Sequence, residues 1–209
     1  MQVDGSQHKN DWEGHELAVI IRADPRLTHM ASTVRVYPGR TDDEWLLLDT
    51  ETTDPTYVSE LPLEVAPGTL LSASIDWNGE EPTVEDATVV ESTQFHFHRT
   101  DAPVFQAAQA CFEEARRAGE AMNARVTNDT DGRPNGVVYT FADQPGQRDL
   151  FSEFRDGEKP LEPLLSRTAE AADPPYSVWV LDVPEPFVLI TIVFDPDGLF
   201  AETMADTYA

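Results

Sequence analysis

The chain has 209 residues, with 39 Asp and Glu against 14 Lys and Arg and a formal net charge of -25; its lysines are Lys9 and Lys159. A hydrophobic fraction of 40%, with four Trp, ten Phe and five Tyr, excludes an acidic disordered protein, which has too little apolar content to bury a core. A lone cysteine, Cys111, excludes a disulfide framework or a cysteine-based zinc site, and no apolar run reaches the roughly 18 residues of a membrane-spanning helix.

Residues 1–29 show little pattern. They hold His8, His15, His29 and Lys9, and regular strand alternation begins only after Met30. This stretch therefore reads as an extension upstream of a start at Met30; the competing reading is a strand over 17–21. From 33 to 98 the chain reads as short strands at 33–37, 45–48, 56–59 and 70–77. In the last of these Leu71, Ala73, Ile75 and Trp77 share one face. Asn78-Gly79 suits a tight turn, and a long strand over 87–98 follows. Five strands in about 70 residues predict a small five-stranded β-barrel of the OB or SH3 kind over 30–101, since closure removes exposed edges. Trp45, Tyr57 and Trp77 are its candidate contact aromatics.

Thr100-Asp101-Ala102-Pro103 has the Asp cap and first-turn proline of a helix start. Val104, Ala108, Cys111, Ala115, Ala118 and Met122 then recur at spacings of three and four, on one helical stripe. A hairpin (124–127 with 136–142), helices over 148–154 and 161–171, a second hairpin (176–182 with 187–194) and a final helix over 199–208 complete the chain. This order predicts, over 102–209, an antiparallel four-stranded sheet with helices on one face. The fold class is accordingly α+β, a barrel followed by that sheet. The run 187–194, apolar on both faces, belongs to a central strand or an interface.

The charge points to a solvent. Two carboxylates about 7 Å apart repel by about 0.6 kcal/mol in unscreened water, and the Debye length falls from about 10 Å at 0.1 M salt to about 3 Å at 1 M. Concentrated salt makes this surface tolerable and keeps it hydrated, so the expected setting is the cytoplasm of a halophile. There acidity says little for or against nucleic acid, because molar salt weakens phosphate contacts generally. Nothing in the sequence supports a nucleic-acid partner, and no membrane association is expected.

His96 and His98 share one strand face in a His-x-His that could chelate a transition metal. The sequence places no third ligand with them, so no metal site is assigned. No dinucleotide, phosphate-loop or nucleophile-elbow motif is present, and no cofactor is implied. Cys111, inside the apolar stripe, reads as a small hydrophobe. Arginine is enriched from 123 to 157 against the trend of the chain. Arg125, Asn135, Tyr139, Asp143, Arg148 and Arg155 are therefore the candidate ligand-binding residues, with a small anion as the expected ligand. The competing reading is an ion-pair network in which Asp143, Asp149 and Asp156 neutralise the arginines.

The stretches DPTYV (54–58), GEAMNARVT (119–127) and PNGVVYTFADQPGQRDLFSEFRDG (134–157) resemble an uncharacterised family of haloarchaeal proteins, a domain of unknown function. The likeness runs from about Met30 to the C-terminus. It implies a haloarchaeal host and supplies no activity, cofactor or catalytic residue.

The function expected is a non-catalytic cytoplasmic binding or regulatory protein of a halophilic archaeon, with an inter-domain cleft for a protein or a small anionic ligand. The alternative is a hydrolase of a phosphorylated or carboxylated metabolite. Arg125, Arg148 and Arg155 would then hold the anion, and Asp143 or Tyr139 would transfer the proton. An assembly subunit, using the final helix or the 187–194 strand, is a third reading. Convergence on one open cavity would favour the enzyme; scatter or full pairing would favour binding.

Overall fold

The computed structural model describes residues 31–143, 146 and 149–209. The extension over 1–29, the start at Met30, the strand over 17–21 and Arg148 lie outside the described residues.

Alternating apolar residues build a first, antiparallel sheet from β1 (Ser32–Pro38), β2 (Trp45–Asp49), β3 (Pro55–Val58), β4 (Leu70–Asp76) and β5 (Thr83–Glu91), in the order β3-β2-β1-β4-β5. Val34, Val36, Leu47, Val58, Leu71 and Ala73 face one way, under Leu61, Leu63 and Val65 of the loop after β3. Tyr37, Leu46 and Leu48 face the other way. Among the described residues no ladder joins β3 to β5, so the expected closed barrel is corrected to an open five-stranded sheet. The reason lies in the long strand expected over 87–98. It breaks at Ser92-Thr93, and the part beyond, β6 (Gln94–Arg99), leaves to pair in parallel with β9 (Ser177–Asp182) in another sheet. Trp77 lies one residue past β4 and is exposed, not in the core.

The remaining elements are α1 (Gln106–Ala118), β7 (Met122–Asn128), β8 (Pro134–Ala142), α2 (Leu150–Arg155), α3 (Glu162–Thr168), β10 (Phe187–Val193) and α4 (Leu199–Tyr208). The second sheet has the order β6-β9-β10-β8-β7. It is therefore five-stranded and mixed, a second correction to the expected four antiparallel strands. Every residue of β10 is buried, and it holds the central place in the sheet. Strands apolar on both sides need two covers. Ala108, Cys111, Ala115, Met204 and Tyr208 of α1 and α4 pack on one face; Phe151, Phe154 and Leu165 of α2 and α3 pack on the other. Helices thus flank both faces, where one was expected.

The second core is shared. Tyr37, Leu46 and Leu48 of the first sheet meet Phe95, Val178, Val180 and Ile190 of the second in one cluster. Arg35 sits at this junction, only 4% exposed. Its Nε donates to Glu162 Oε1 at 2.8 Å, and its Nη1 donates to Gly68 O at 2.8 Å and Glu91 Oε1 at 2.9 Å. Gly68 has φ of +96°, and a Cβ there would come within 2.6 Å of Phe95 N, so the loop can approach only as glycine. Tyr37 donates to Glu162 Oε2 at 3.4 Å and accepts from Leu161 N at 3.1 Å. Burial first, then the Glu162 charge, pushes the Tyr37 hydroxyl well up from its ordinary pKa, so it remains a donor.

One guanidinium therefore ties β1, the end of β5, the loop before β4 and the start of α3 together. Truncating one member of a buried charge pair typically costs about 3–5 kcal/mol, because the partner stays buried and uncompensated. Arg35→Ala, which leaves Glu91 and Glu162 facing each other, is expected to lose stability in that range in denaturant titrations at high salt. A loss below about 1 kcal/mol, the scale of exposed pairs, would show that the cluster does not hold the sheets.

Candidate functional site

Strand alternation sends Ala124 and Val126 of β7 to the α3 side of the second sheet, and Asn123, Arg125 and Thr127 to the α1 side. In register with them, Tyr139 pairs with Ala124 and Val137 with Val126. The end of α3 lies over this patch with Arg167, Thr168 and Ala171, and Phe194 completes a recess of about 170 Å³. Its lining is mostly apolar. The Thr168 hydroxyl is spent locally, donating to Leu164 O at 2.9 Å.

Two polar groups in the recess have no such partner. The Tyr139 hydroxyl has no hydrogen bond among the described residues, although the residue is 1% exposed. Arg167 is exposed and has no ion pair among them. Every other lysine and arginine of the described residues has a carboxylate partner. In a chain of charge -25 that contrast marks Arg167.

Of the six candidate residues, Tyr139 and Arg125 border this recess. The Arg125 guanidinium is engaged elsewhere, with Nη1 at 2.7 Å from Glu114 of α1 on the opposite face. Asn135 accepts from the Thr127 hydroxyl at 2.8 Å, a cross-strand bond. Arg155 pairs with its neighbour Asp156 at 2.8 Å. Asp143 lies beyond the far end of β8, and Arg148 is outside the described residues. The described candidates do not converge. Arg167 and Phe194 went unread. The one available signal was that Arg167 has no acid at i−4, i−3 or i+4, and its i+3 residue, Glu170, lies past the helix end.

A second polar site forms where β6 and β9 end and α2 begins. Arg99 donates from Nη1 to Asp182, from Nη2 to Asp149 and to Ser152 Oγ at 3.2 Å, and its guanidinium lies 4.5 Å from the Phe151 ring centre. A depression of about 240 Å³ beside it is lined by Arg99, Thr100, Asp101, Asp182, Val183 and Pro184. Partial burial pushes the Asp149 carboxyl up, but hydrogen bonds from Arg99 and Ser152 outweigh it and leave the pKa below its ordinary value. Asp143 lies near the two carboxylates that hold Arg99. Partial burial, then Asp182, then Asp149, raises its carboxyl. Two carboxylates already on the guanidinium, with Asp143 near both, make this rim a poor place for an anion.

His96 and His98 stack on Trp179, with ring centres 4.1 and 5.7 Å from the indole. Burial first, then the neighbouring His98, lowers the pKa of His96, and burial lowers that of His98. Among the described residues no group of three His, Cys, Asp or Glu could hold a metal ion. Cys111 is buried, accepts from the Thr140 hydroxyl at 3.6 Å, and burial pushes its thiol up. It packs as a small apolar residue.

The model of DUF6663, a family of unknown function, matches residues 27–209. The chain belongs to this family. No curated protein and no solved structure matches it. The DUF6663 match spans both sheets, the recess and the Arg99 rim.

The rim of this DUF6663 chain yields a test by pH. A carboxyl raised in the folded state binds its proton more readily there than in the unfolded chain, so its ionisation opposes folding above that pKa. The opposition fades as pH falls through the raised value. Asp143→Asn is therefore expected to raise the melting temperature at neutral pH, with a gain that shrinks as pH falls below the raised Asp143 pKa and is gone below that of the unfolded chain. Melting curves of both proteins against pH measure this, and an unchanged or lower melting temperature at pH 7 would contradict it.

Proposed function

We propose that the protein is a non-catalytic binding or regulatory protein of a halophilic archaeal cytoplasm. In this reading the recess between β7, β8 and α3 receives the apolar part of a small anionic ligand, and Arg167 receives its charge. The observation that carries the proposal is Arg167, without an ion pair among the described residues, at the mouth of an apolar recess. An anion that pairs there displaces no internal carboxylate, and an arginine without an ion pair is costly in a surface so short of cations. The net charge of -25 is what supports the halophilic setting.

The lining favours binding over hydrolysis. Among the described residues it offers a guanidinium and hydroxyls, with the Tyr139 hydroxyl the one proton-transfer candidate and no carboxylate, histidine or thiol beside it. Apart from Tyr139, the described residues of the hydrolase alternative act elsewhere, with Arg125 on Glu114, Arg155 on Asp156 and Asp143 at the Arg99 rim. The reading thus moves the site from a cleft between the sheets to one within the second sheet and its helix.

Backbone NMR in about 2 M KCl, where the Debye length is near 2–3 Å, tests this with a mixture of small carboxylates and phosphates. Shifts are expected in β7, β8 and the 162–172 segment. They should vanish in Ala171→Phe, which fills the mouth of the recess, while the rest of the spectrum is retained. The folded spectrum itself should be lost in dilute buffer. Shifts confined to the Arg99–Asp182 rim, or none, would overturn the recess reading; a folded spectrum that persists unchanged in dilute buffer would overturn the halophilic one.

A further inference from the structure

We infer that the ligand is a monocarboxylate carrying one compact apolar group of about the size of a benzene ring. This inference rests on the recess being the binding site and adds the class of molecule it selects. Volume sets the size of the apolar group. A dry cavity of about 150 Å³ lined by aliphatic and aromatic side chains holds benzene, and this recess measures about 170 Å³. Ala124, Val126, Val137 and Ala171 supply aliphatic walls and Phe194 an aromatic one.

Charge sets the head group. Arg167 brings one positive charge in a planar fork, which matches the two oxygens of a carboxylate. Arg125, the other arginine at the recess, is already paired with Glu114. No glycine-rich loop lines the recess to add a cluster of backbone N–H donors, so a dianionic phosphate would be left half neutralised. The Tyr139 hydroxyl, without a partner of its own among the described residues, supplies one further donor for a carboxylate oxygen. An α-amino acid is disfavoured for the opposite reason. Its ammonium would enter a recess whose lining includes no carboxylate to receive it.

The decisive experiment titrates the full chain in high KCl, by calorimetry and NMR, with four probes of similar shape, phenylacetate, 2-phenylethanol, phenylalanine and benzylphosphonate, and with acetate as a fifth that lacks the ring. Phenylacetate is expected to saturate the recess. The alcohol and the amino acid should each bind at least about tenfold more weakly, the scale of one charged hydrogen-bonding group, and acetate, which lacks the ring, should bind at least as weakly through lost apolar burial. Arg167→Gln should lower phenylacetate affinity by about tenfold to a hundredfold and leave the alcohol unchanged, with Arg167→Lys between. Because Arg167 is exposed, these variants should keep the parent spectrum. If the alcohol or the phosphonate shifts β7, β8 and α3 at least as tightly as phenylacetate, the carboxylate class is wrong and the recess stands. If none of the five shifts those residues, the recess reading falls with it.

Discussion

The guanidinium of Arg35 is a charge taken almost wholly out of water, and its three hydrogen-bond acceptors come from three separate parts of the chain. A buried cation must be neutralised where it lies. Glu91 meets it from the end of β5, immediately before the chain changes sheets, and Glu162 meets it from the first turn of α3. The same requirement therefore fixes where the first sheet ends and where α3 begins. The far end of α3 supplies Arg167 and Thr168 to the recess, so the candidate binding wall hangs from the buried clamp by one short helix.

Concentrated salt would sort the interactions of this molecule. Exposed ion pairs such as Arg116 with Glu113 and Arg40 with Glu44 contribute about 0–1 kcal/mol at best and are screened. The Arg35 cluster and the shared apolar core lie away from that screening. In the halophilic setting proposed here, stability would rest on those two. The same holds for a ligand. Apolar burial would supply most of its affinity and Arg167 most of its selectivity, since burial is not screened by salt as charge is.

Local pattern was legible in the sequence. The alternation over 70–77 gave β4, and the doubly apolar run over 187–194 gave the central β10. What could not be read was which strands meet. A strand has the same period of two in a closed barrel and in an open sheet, and the two-residue break at Ser92-Thr93 carries no glycine or proline to announce that β6 departs. Helices on both faces were readable in principle, because β9 also is buried on both sides. The site divided in the same way. Alternation on β8 brought out Tyr139, while the pairing of an arginine depends on neighbours far along the chain. Arg35 finds Glu162 127 residues away, and the lack of an ion pair at Arg167 among the described residues shows only once those partners have been placed.

Hydrogen exchange of the intact chain in high KCl asks most directly whether the clamp makes one cooperative body of the two sheets and α3. The slowest amides of β1, β4, β8 and β10, together with those of the first turn after Leu161, should open with one common free energy, equal to that of global unfolding. If the first sheet or α3 opens at a clearly lower free energy while β8–β10 remain protected, Arg35 does not join them, and the recess has no fixed wall.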